Sequence, residues 1–313
     1  MKVAIIGCGS ISEVHVRSIE ALGHDLKYVC DLDQEKASRF SLAYVRDYKS
    51  LFDKDIDVIH ILTPHHLHVQ MAIDCIEAGK HVLLEKPIGI EKEALKQLDE
   101  AIKSSNVKVG VIFQNRFNPC VKELKRIIST ENLGCFKGSK SILAWNRDES
   151  YYQTDWKGRL STEGGGLLIN QAIHTFDLLR YLIGDYSKFR GMLSNLSHPD
   201  NDVEDTAMIE FDYNHGGRGI FMGTLNHKKN SSVEIELVFE KSTFRYMDGK
   251  LYRDSLIIME DESTPHKDYY GCGHRDCIKN FYDHIERDEN LVISFDDAKK
   301  TNEVILDIYK ELS

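Results

Sequence analysis

Glu85-Lys86-Pro87 is the stretch of this 313-residue chain that most directly indicates chemistry. It follows the apolar run 81–84, which predicts a short buried strand, and Pro87 ends the pairing of that strand. In open parallel sheets, ligands bind just outside the carboxyl ends of the strands. Lys86 is therefore a candidate ligand-binding lysine, although a solvated Glu-Lys pair before a loop proline explains the tripeptide alone more simply.

The segment Gly7-Cys8-Gly9-Ser10-Ile11-Ser12 follows the first predicted strand and opens a helical pattern. Gly7 permits the tight turn, and Gly9 lets the backbone approach a pyrophosphate. The helix N terminus then offers backbone N–H groups to phosphate. Serine at position 12, where this fingerprint has glycine or alanine, is still small enough for close helix–strand packing. The loop predicts a dinucleotide site that includes Gly7, Gly9, Ser10, Ile11 and Ser12.

Asp31 ends the second predicted strand, 24 residues after Gly7. A carboxylate at this position accepts hydrogen bonds from the ribose hydroxyls and repels a 2′-phosphate. Because neither of the next two residues is an arginine, we expect NAD, with NADP disfavoured. Two alternatives stay open, namely that Asp31 caps the following helix or that Asp33 binds the ribose.

A strongly apolar helix, predicted over 167–183, carries Asn170 and His174 four residues apart and hence on one face. Histidine titrates near neutral pH and can exchange protons with a substrate. Asparagine can hydrogen-bond a hydroxyl but cannot act as a base. The three glycines at 164–166 allow a backbone or a ligand to approach closely. The alternative is a core histidine with Asn170 as its partner.

Polar residues before these glycines, at 146–163, form a predicted loop of the kind that often carries recognition. Arg159 or Lys157 is a candidate to bind an anionic group of a substrate, and Trp156 to pack on a cofactor or sugar face. A solvated loop anchored by one tryptophan explains the segment equally well. Further candidates, named for their position in the chain, are Gln114, Arg116, His274 and Tyr270.

Alternating strand and helix patterns over residues 1–115 predict a parallel sheet with crossover helices. The chain then changes to longer strands in succession, which predict an antiparallel sheet. The predicted fold class is thus α/β, with a doubly wound parallel sheet followed by an α+β domain with a large, mostly antiparallel open sheet. We place the boundary between two domains after residue 117, with the last helix as a candidate to pack back on the first domain. The predicted strands are 3–6, 27–30, 57–62, 81–84, 108–113, 136–145, 189–193, 206–213, 218–224 and 232–239, and the predicted helices include 68–78, 91–104, 121–128, 277–287 and 296–312.

The overall composition excludes several classes of function. A net charge of −10 with interspersed signs disfavours nucleic acid and anionic membrane as partners. No apolar run is long enough to span a membrane, and no signal peptide is predicted. Seven irregularly spaced cysteines predict a reduced, cytoplasmic protein. Cys272, His274 and Cys277 lack a fourth ligand with zinc-like spacing, so we predict no metal.

Four motifs together are more specific than any of these features. They are Thr63-Pro64-His65-His66-Leu67-His68, the run from Ala78 to Pro87, Gln114-Asn115-Arg116-Phe117-Asn118-Pro119, and the run from Gly164 to Asp177. With Val203-Glu204-Asp205-Thr206, they resemble the Gfo/Idh/MocA family over essentially the whole chain. The resemblance implies an NAD-binding Rossmann domain at 1–117 and a substrate-binding and oligomerisation domain at 118–313, whose open sheet commonly mediates dimers or tetramers.

The resemblance also implies roles for individual residues. Lys86, with Glu85 in the same motif, corresponds to the lysine close to substrate and nicotinamide, and His174 to the active-site histidine. Thr63 and Pro64 look like cofactor contacts, and His68 opens the helix behind them. The family often has Asp where this chain has Asn170, so a carboxylate that supports proton transfer is absent there; Asn-Gln at this point also resembles a subgroup with sugar-nucleotide dehydrogenases. The resulting sets are a catalytic group (Lys86, His174, Asn170), cofactor contacts (Gly7, Gly9, Ser10, Ile11, Ser12, Asp31, Thr63, Pro64, His68, Glu85, Lys86, Gln114) and substrate contacts (Lys86, Arg116, Trp156, Arg159, Asn170, His174).

The function that this resemblance implies is NAD-dependent hydride transfer between nicotinamide and a secondary alcohol or ketone of a sugar, cyclitol or sugar nucleotide. Two alternatives remain. One is a reductase of a non-sugar carbonyl, as in dihydrodiol dehydrogenases or biliverdin reductases. The other is an NAD-binding regulator without catalysis, which the presence of both Lys86 and His174 disfavours.

Overall fold

The computed structural model describes residues 1–262, 271–289 and 291–312, so the candidate Tyr270 lies outside the described residues. The chain divides into two compact units. The first comprises Met1–Phe113 and His274–Lys300, and the second comprises Gln114–Gly273 and Thr301–Ser313. The division after Phe113 lies four residues before the boundary predicted from the sequence. Residues 274–300, which the sequence-based boundary assigns to the second domain, group with the first unit.

The described residues form two sheets and the helices between them. The strands are β1 (Lys2–Ile6), β2 (Asp25–Cys30), β3 (Ala43–Val45), β4 (Val58–Ile61), β5 (His81–Leu84), β6 (Val109–Val111), β7 (Phe136–Ala144), β8 (Tyr186–Ser194), β9 (Thr206–Tyr213), β10 (Arg218–Thr224), β11 (Glu234–Phe239), β12 (Thr243–Met247), β13 (Lys250–Arg253) and β14 (Leu256–Glu260). The helices are α1 (Ser12–Ala21), α2 (Gln34–Ser38), α3 (His68–Glu77), α4 (Lys92–Lys103), α5 (Pro119–Thr130), α6 (Glu149–Tyr152), α7 (Leu160–Glu163), α8 (Ile173–Ile183), α9 (His274–Arg287) and α10 (Phe295–Leu312). Short 3₁₀ turns lie at Tyr48–Leu51, His65–Leu67 and Gln114–Phe117, and a π-helical turn lies at Leu168–Ala172.

The first unit contains a six-stranded parallel sheet in the order β3-β2-β1-β4-β5-β6. Its central strands β1, β4 and β5 are almost wholly buried, as expected for a parallel sheet covered on both faces. The strand order reverses between β1 and β4, and such a switch point opens a crevice at the carboxyl ends of the strands. The predicted doubly wound architecture is therefore confirmed, and the loops after β1, β4 and β5 share one edge.

The second unit contains an eight-stranded sheet in the order β14-β13-β12-β11-β7-β10-β9-β8. Only β7 and β10 pair in parallel, so the sheet is mostly antiparallel, as predicted. Helix α8 covers one face, where Phe176 contacts Phe211 of β9 and Phe221 of β10 with ring centroids 6.0 and 5.0 Å apart. This aromatic layer fixes the helix that carries His174.

Four strands were not predicted from the sequence, β3 and the meander β12–β14. The meander turns at Asp248-Gly249, where both residues have positive φ (54° and 65°), which is the signature of a tight hairpin turn. That dipeptide was the available signal. Strand β3 has only three residues at a sheet edge, too few to show a period. No helix within the described ranges is long and apolar enough to cross a membrane.

Candidate functional site

The glycine loop after β1 has one glycine that the backbone requires and one that leaves space. Gly7 has a φ of +99°, and a Cβ atom there would lie 2.6 Å from the carbonyl oxygen of Leu62. A Cβ atom on Gly9 would meet no atom of the described chain within 4 Å. Helix α1 follows, and no described side chain caps its N terminus. Open space and uncapped N–H groups together fit a pyrophosphate.

The sequence left open which of Asp31 and Asp33 caps the following helix and which remains available to the ribose. The Asp33 side chain accepts from the backbone N–H groups of Glu35 and Lys36 and caps α2. The Asp31 carboxylate instead accepts from the N–H of Cys8, at 2.7 Å, and from that of Asp33, at 2.9 Å. Asp31 therefore holds the glycine loop against the end of β2. Its oxygens have further lone pairs with which to accept from ribose hydroxyls.

Arg39 contacts the same loop and was missed in the sequence analysis. Its Nη2 atom donates to the carbonyl oxygens of Cys8 and Gly9, at 2.5 and 2.7 Å, and lies 3.0 Å from the hydroxyl of Ser12. Arg39 follows the short helix α2, so its contact with the glycine loop does not follow from its spacing after β2. The exposed guanidinium gives the predicted phosphate site a positive charge in addition to the helix dipole.

His68 joins the two motif loops of the first unit. Its Nδ1 and Nε2 atoms both lie 2.7 Å from carbonyl oxygens, those of Pro87 and Thr63 respectively. Burial lowers the pKa of His68, although the two carbonyls favour its charged form. The side chain is almost fully buried. His68 thus supports the Thr63-Pro64 turn and the Lys86-Pro87 turn, which contains a cis peptide bond, from behind.

Glu85 ends a buried chain of four polar side chains. His15 Nε2 lies 3.1 Å from Glu85 Oε1, His15 Nδ1 lies 2.9 Å from His60 Nδ1, and His60 Nε2 lies 2.8 Å from the hydroxyl of Tyr282. Burial raises the pKa of Glu85, but His15, Lys86 and His274 outweigh burial and bring it to about 2. An ionised carboxylate only accepts, so one consistent proton arrangement has every hydrogen bond of the chain donated toward Glu85.

His60, within the apolar sequence of β4, was the available sequence signal for this row of hydrogen-bonded side chains, because a buried imidazole needs a partner. Burial, followed by the neighbouring His15, lowers the pKa of His60 well below its usual value, which keeps that ring neutral. Glu85 in turn accepts from the backbone N–H of Lys86 at 3.2 Å. The row of hydrogen-bonded side chains therefore fixes a negative charge on Glu85, directly before Lys86, which is half-buried.

In the second unit, a π-helical turn precedes α8. It spans Leu168–Ala172 and contains Asn170, whereas His174 lies in the first turn of α8. The sequence pattern predicted one continuous helix, in which residues four apart superpose. A π turn has i→i+5 hydrogen bonds, so this superposition is lost at Asn170. Such turns inside helices are frequent at functional sites.

The glycines before this turn serve packing within the unit. A Cβ atom on Gly165 would lie 2.1 Å from the hydroxyl of Tyr309, and one on Gly166 would lie 1.9 Å from the carbonyl oxygen of Glu204. Glu204 also accepts from the N–H groups of Gly166 and Leu168, at 2.9 and 2.8 Å. These contacts account for both glycines, so they no longer argue for a ligand beside them.

Asn170 binds a carboxylate that the sequence analysis did not select. Its Nδ2 atom donates to Glu163 and to the hydroxyl of Tyr151, the latter at 3.0 Å. Glu163 is 1% exposed, and its other oxygen accepts from the N–H of Gly158 at 2.6 Å. Burial raises the pKa of Glu163 to about 7. A carboxyl group next to Asn170 is thus present, supplied from seven residues earlier in the chain.

The remaining predicted substrate contacts of the second unit differ in exposure. Arg116 is buried and paired with Asp177 through two contacts of 2.7 and 2.5 Å. Trp156 is half-buried, and the Lys157 ammonium lies 3.6 Å from the centroid of the Tyr151 ring. Arg159 is exposed. The segment around Trp156 and Lys157 therefore packs beside the Glu163–Asn170 pair, whereas Arg116 secures α8 through Asp177.

Gln114 is buried within the 3₁₀ turn at the start of the second unit, where its backbone carbonyl oxygen lies close to Gly273.

Among the described residues, no group of three His, Cys, Asp or Glu side chains is arranged to hold a metal ion. The structure thus brings together two sets. The first unit holds Gly7, Gly9, Ser10, Ile11, Ser12, Asp31, Thr63, Pro64, His68, Glu85 and Lys86, and the second holds Gln114, Arg116, Trp156, Arg159, Asn170 and His174.

The doubly wound sheet with a glycine loop after its first strand is the architecture of a dinucleotide-binding domain, and comparison with known proteins gives the family. Residues 1–113 match the oxidoreductase family with an NAD-binding Rossmann fold, and residues 121–245 match the GFO/IDH/MocA C-terminal domain. The chain belongs to the Gfo/Idh/MocA family, and its first unit contains an NAD-binding Rossmann domain.

Several characterised proteins are similar to this chain. Levoglucosan dehydrogenase of Pseudarthrobacter phenanthrenivorans is 30% identical over 236 residues, which cover 66% of this chain but only 60% of that protein. The scyllo-inositol 2-dehydrogenase (NAD(+)) of Bacillus subtilis is 28% identical over 281 residues, covering 75% of this chain and 79% of that protein. The crystal structure of the WlbA dehydrogenase of Chromobacterium violaceum, in complex with NADH and UDP-GlcNAcA, matches with a TM-score of 0.88 at 26% identity, over 99% of this chain and 93% of that one.

Proposed function

We propose that this protein is an NAD-dependent oxidoreductase that transfers hydride between nicotinamide and a secondary alcohol or ketone of a sugar, cyclitol or sugar nucleotide. The observation that carries the proposal is the common edge of the parallel sheet. Gly9 follows β1 and Lys86 follows β5, with only β4 between these two strands. Strands lie about 4.8 Å apart, so the glycine loop and Lys86 are separated by about 10 Å along the edge, a distance that an extended dinucleotide spans.

The chemistry divides among few side chains of the protein. When bound, oxidised nicotinamide supplies the acceptor for the hydride that leaves the carbinol carbon. The hydroxyl proton must leave at the same time. We propose that His174 accepts this proton, because histidine is the residue type that ordinarily exchanges protons near neutral pH. Lys86 binds the hydroxyl oxygen with its ammonium group, beside the ionised Glu85. Asn170 hydrogen-bonds the substrate, and the exchange of roles between Lys86 and His174 is the alternative that the experiment below separates.

Cofactor choice follows from the end of β2. The Asp31 carboxylate, held by two backbone N–H groups, accepts from ribose hydroxyls and repels a 2′-phosphate, which favours NAD over NADP. Arg39 opposes this preference, because its guanidinium lies on the same loop. We therefore propose preference for NAD with measurable use of NADP.

The substrate class rests on the relatives. Their names and bound molecules are an anhydrosugar, an inositol and a UDP-linked sugar acid, all rich in secondary hydroxyls. In this chain, Trp156 and Arg159 supply an aromatic face and an exposed cation, which suit a sugar ring and an anionic substituent. We assign Arg116, buried against Asp177, to the support of α8 and not to direct substrate contact.

We also propose that the protein is a cytoplasmic homo-oligomer. All seven cysteines are free thiols, as in a reducing compartment. On the face of the second sheet opposite α8, Met192, Met208 and Met222 pair across three neighbouring strands and are 45–50% exposed. An apolar row of this kind fits a second copy of the same sheet.

The experiment measures the reduction of NAD, monitored by absorbance, with each member of a panel of sugars, inositols and sugar nucleotides. With a substrate in hand, we expect Lys86→Ala and His174→Ala each to lower kcat at least about 100-fold, since general acid–base groups contribute about 10²–10⁴-fold. The pH profile of kcat in each variant identifies the group that takes the proton. Lys96→Ala and His215→Ala, at exposed positions, are the matched controls. Near-wild-type turnover in both active-site variants would contradict the assignment, and NAD binding without turnover on any substrate would favour a regulator.

A further inference from the structure

We infer that Glu163 is a positioning residue for this reaction, and that it acts by fixing the orientation of the Asn170 amide. The inference rests on the proposed function for its catalytic consequence, but not for its structural content. Glu163 lies at the end of α7, immediately before the glycines, and Asn170 lies in the π-helical turn that leads to His174.

The geometry uses both hydrogens of the Asn170 amide nitrogen. One is donated to Glu163 Oε1 and the other to the hydroxyl of Tyr151. An ionised carboxylate can only accept a hydrogen bond, so it holds the nitrogen of the amide toward itself. Asn170 then turns its carbonyl oxygen, an acceptor, to the opposite side. The reacting hydroxyl donates its one proton to His174, so in this orientation the Asn170 oxygen accepts from a neighbouring hydroxyl of the substrate.

Protonation of Glu163 removes this constraint. A neutral carboxyl group carries one O–H donor as well as acceptor oxygens, so it can bind either end of the amide. The other oxygen accepts from the N–H of Gly158, so it stays in place while the first oxygen changes its protonation. Because burial brings the pKa of Glu163 close to neutrality, the two states exchange in the pH range in which enzymes commonly work.

Glu204 is the buried carboxylate with which Glu163 is best compared. It accepts from two backbone N–H groups and from the hydroxyl of Tyr309, at 2.8–2.9 Å, and so holds the backbone of the glycine segment. Glu163 differs because it binds the side chain of a candidate substrate contact. Charged and titratable groups interact electrostatically with Glu163, so that its pKa or theirs is shifted. They are Lys157, Glu204, Tyr151, Tyr152 and Tyr309. Of these, Lys157 favours the ionised carboxylate and Glu204 opposes it.

Glu163→Gln tests the inference, with Glu204→Gln as the matched control. In protein labelled with ¹⁵N at asparagine, the side-chain amide signal of Asn170, identified by its absence in Asn170→Ala, is followed from pH 5.5 to pH 8.5. We expect a transition near pH 7 in the wild type, a transition moved to lower pH in Glu204→Gln because the Glu204 charge no longer opposes ionisation of Glu163, and none in Glu163→Gln. A wild-type signal that does not move, or one that moves equally in Glu163→Gln, would overturn the inference. This measurement needs no substrate, so it stands even where the proposed activity fails.

The kinetic arm uses the same variants once a substrate is known. Loss of the Glu163 proton should raise kcat/KM for alcohol oxidation as the pH rises, and so add one to the slope of the acidic limb of its logarithm. We expect Glu163→Gln to lower this slope by one, which corresponds to loss of about a tenfold rise between pH 6 and pH 8. An unchanged slope in Glu163→Gln contradicts a positioning role. Thermal unfolding of each variant separates these outcomes from misfolding.

Discussion

At the scale of single residues, the two glycines of the loop after β1 do different work. Gly7 is required by the fold, because its positive φ and the nearby Leu62 carbonyl leave no room for a side chain. Gly9 has ordinary backbone geometry and faces open space. The same residue type is therefore required by the backbone at one position and leaves open space at the other, and substitution by alanine can separate the two.

We expect Gly9→Ala to fold with little change in stability, within about 1 kcal/mol, because its Cβ atom meets no neighbour in the chain. The methyl group would occupy the space that we assign to the pyrophosphate, so the Kd for NADH should rise at least about tenfold, or about 1.4 kcal/mol. Gly7→Ala should instead lower the free energy of unfolding by about 2 kcal/mol or more. Calorimetric titration with NADH and denaturant unfolding measure the two effects. Unchanged NADH affinity in Gly9→Ala would contradict the position of the pyrophosphate.

At the scale of elements, helix α8 is held in the second unit by a buried polar network. Arg116 makes two contacts with Asp177, and Thr301 of α10 donates to Asp177 Oδ1 at 2.9 Å. Arg180, one turn further along α8, donates to the same Thr301 hydroxyl at 3.0 Å. These contacts link the 3₁₀ turn before α5, the helix α8 and the part of α10 that belongs to the second unit. Asp177 lies three residues after His174, so these contacts hold the helix that carries His174 in place.

Asp177→Asn should destabilise this arrangement strongly. Both partners of the pair are 1% exposed, and the substitution leaves the Arg116 guanidinium buried without its counter-charge. Breaking a buried pair from one side costs about 3–5 kcal/mol, which urea unfolding would detect. The double variant Arg116→Met with Asp177→Leu should recover much of that loss, because an apolar pair carries no uncompensated charge. Asp200→Asn, at an exposed position, is the control, and a loss below 1 kcal/mol in Asp177→Asn would contradict the role of the pair.

Elements whose apolar residues recur with a clear helical or strand period were predictable from the sequence, and those fixed by tertiary contacts were not. Strands β9 and β10 agree with the predicted bounds residue for residue, because inward and outward side chains alternate along them. The π-helical turn at Leu168–Ala172 leaves no trace in the apolar pattern, since four of its five residues are buried as they would be in an α-helix. The partners of Glu85 were equally hidden, because His15, His60 and Tyr282 lie far apart in the chain and meet only in the folded unit.

At the scale of the whole molecule, charge and apolar surface are unevenly shared between the two faces of the second sheet. The face opposite α8 carries the methionine row, and charged residues on the same strands pair with one another, as Arg190 does with Asp212. The motifs of the chain predicted which residues to examine for cofactor and substrate. They could not show Glu163 beside Asn170 or Arg39 on the glycine loop, because neither contact follows from spacing.

Met208→Glu tests the assignment of that face to a second copy of the chain. Met208 pairs with Met192 on one side and Met222 on the other, so a carboxylate there would lie at the centre of the apolar row. Burying an unpaired charge against a partner costs several kcal/mol, whereas the exposed position tolerates it in a monomer. We expect sedimentation velocity to show an oligomer for the wild type and a monomer for Met208→Glu, with unchanged thermal unfolding of the monomer. Leu32→Glu places the same charge at an exposed leucine of the first unit and should keep the wild-type assembly. A monomeric wild type, or an assembly that Met208→Glu leaves intact, would show that this face is not the contact between copies.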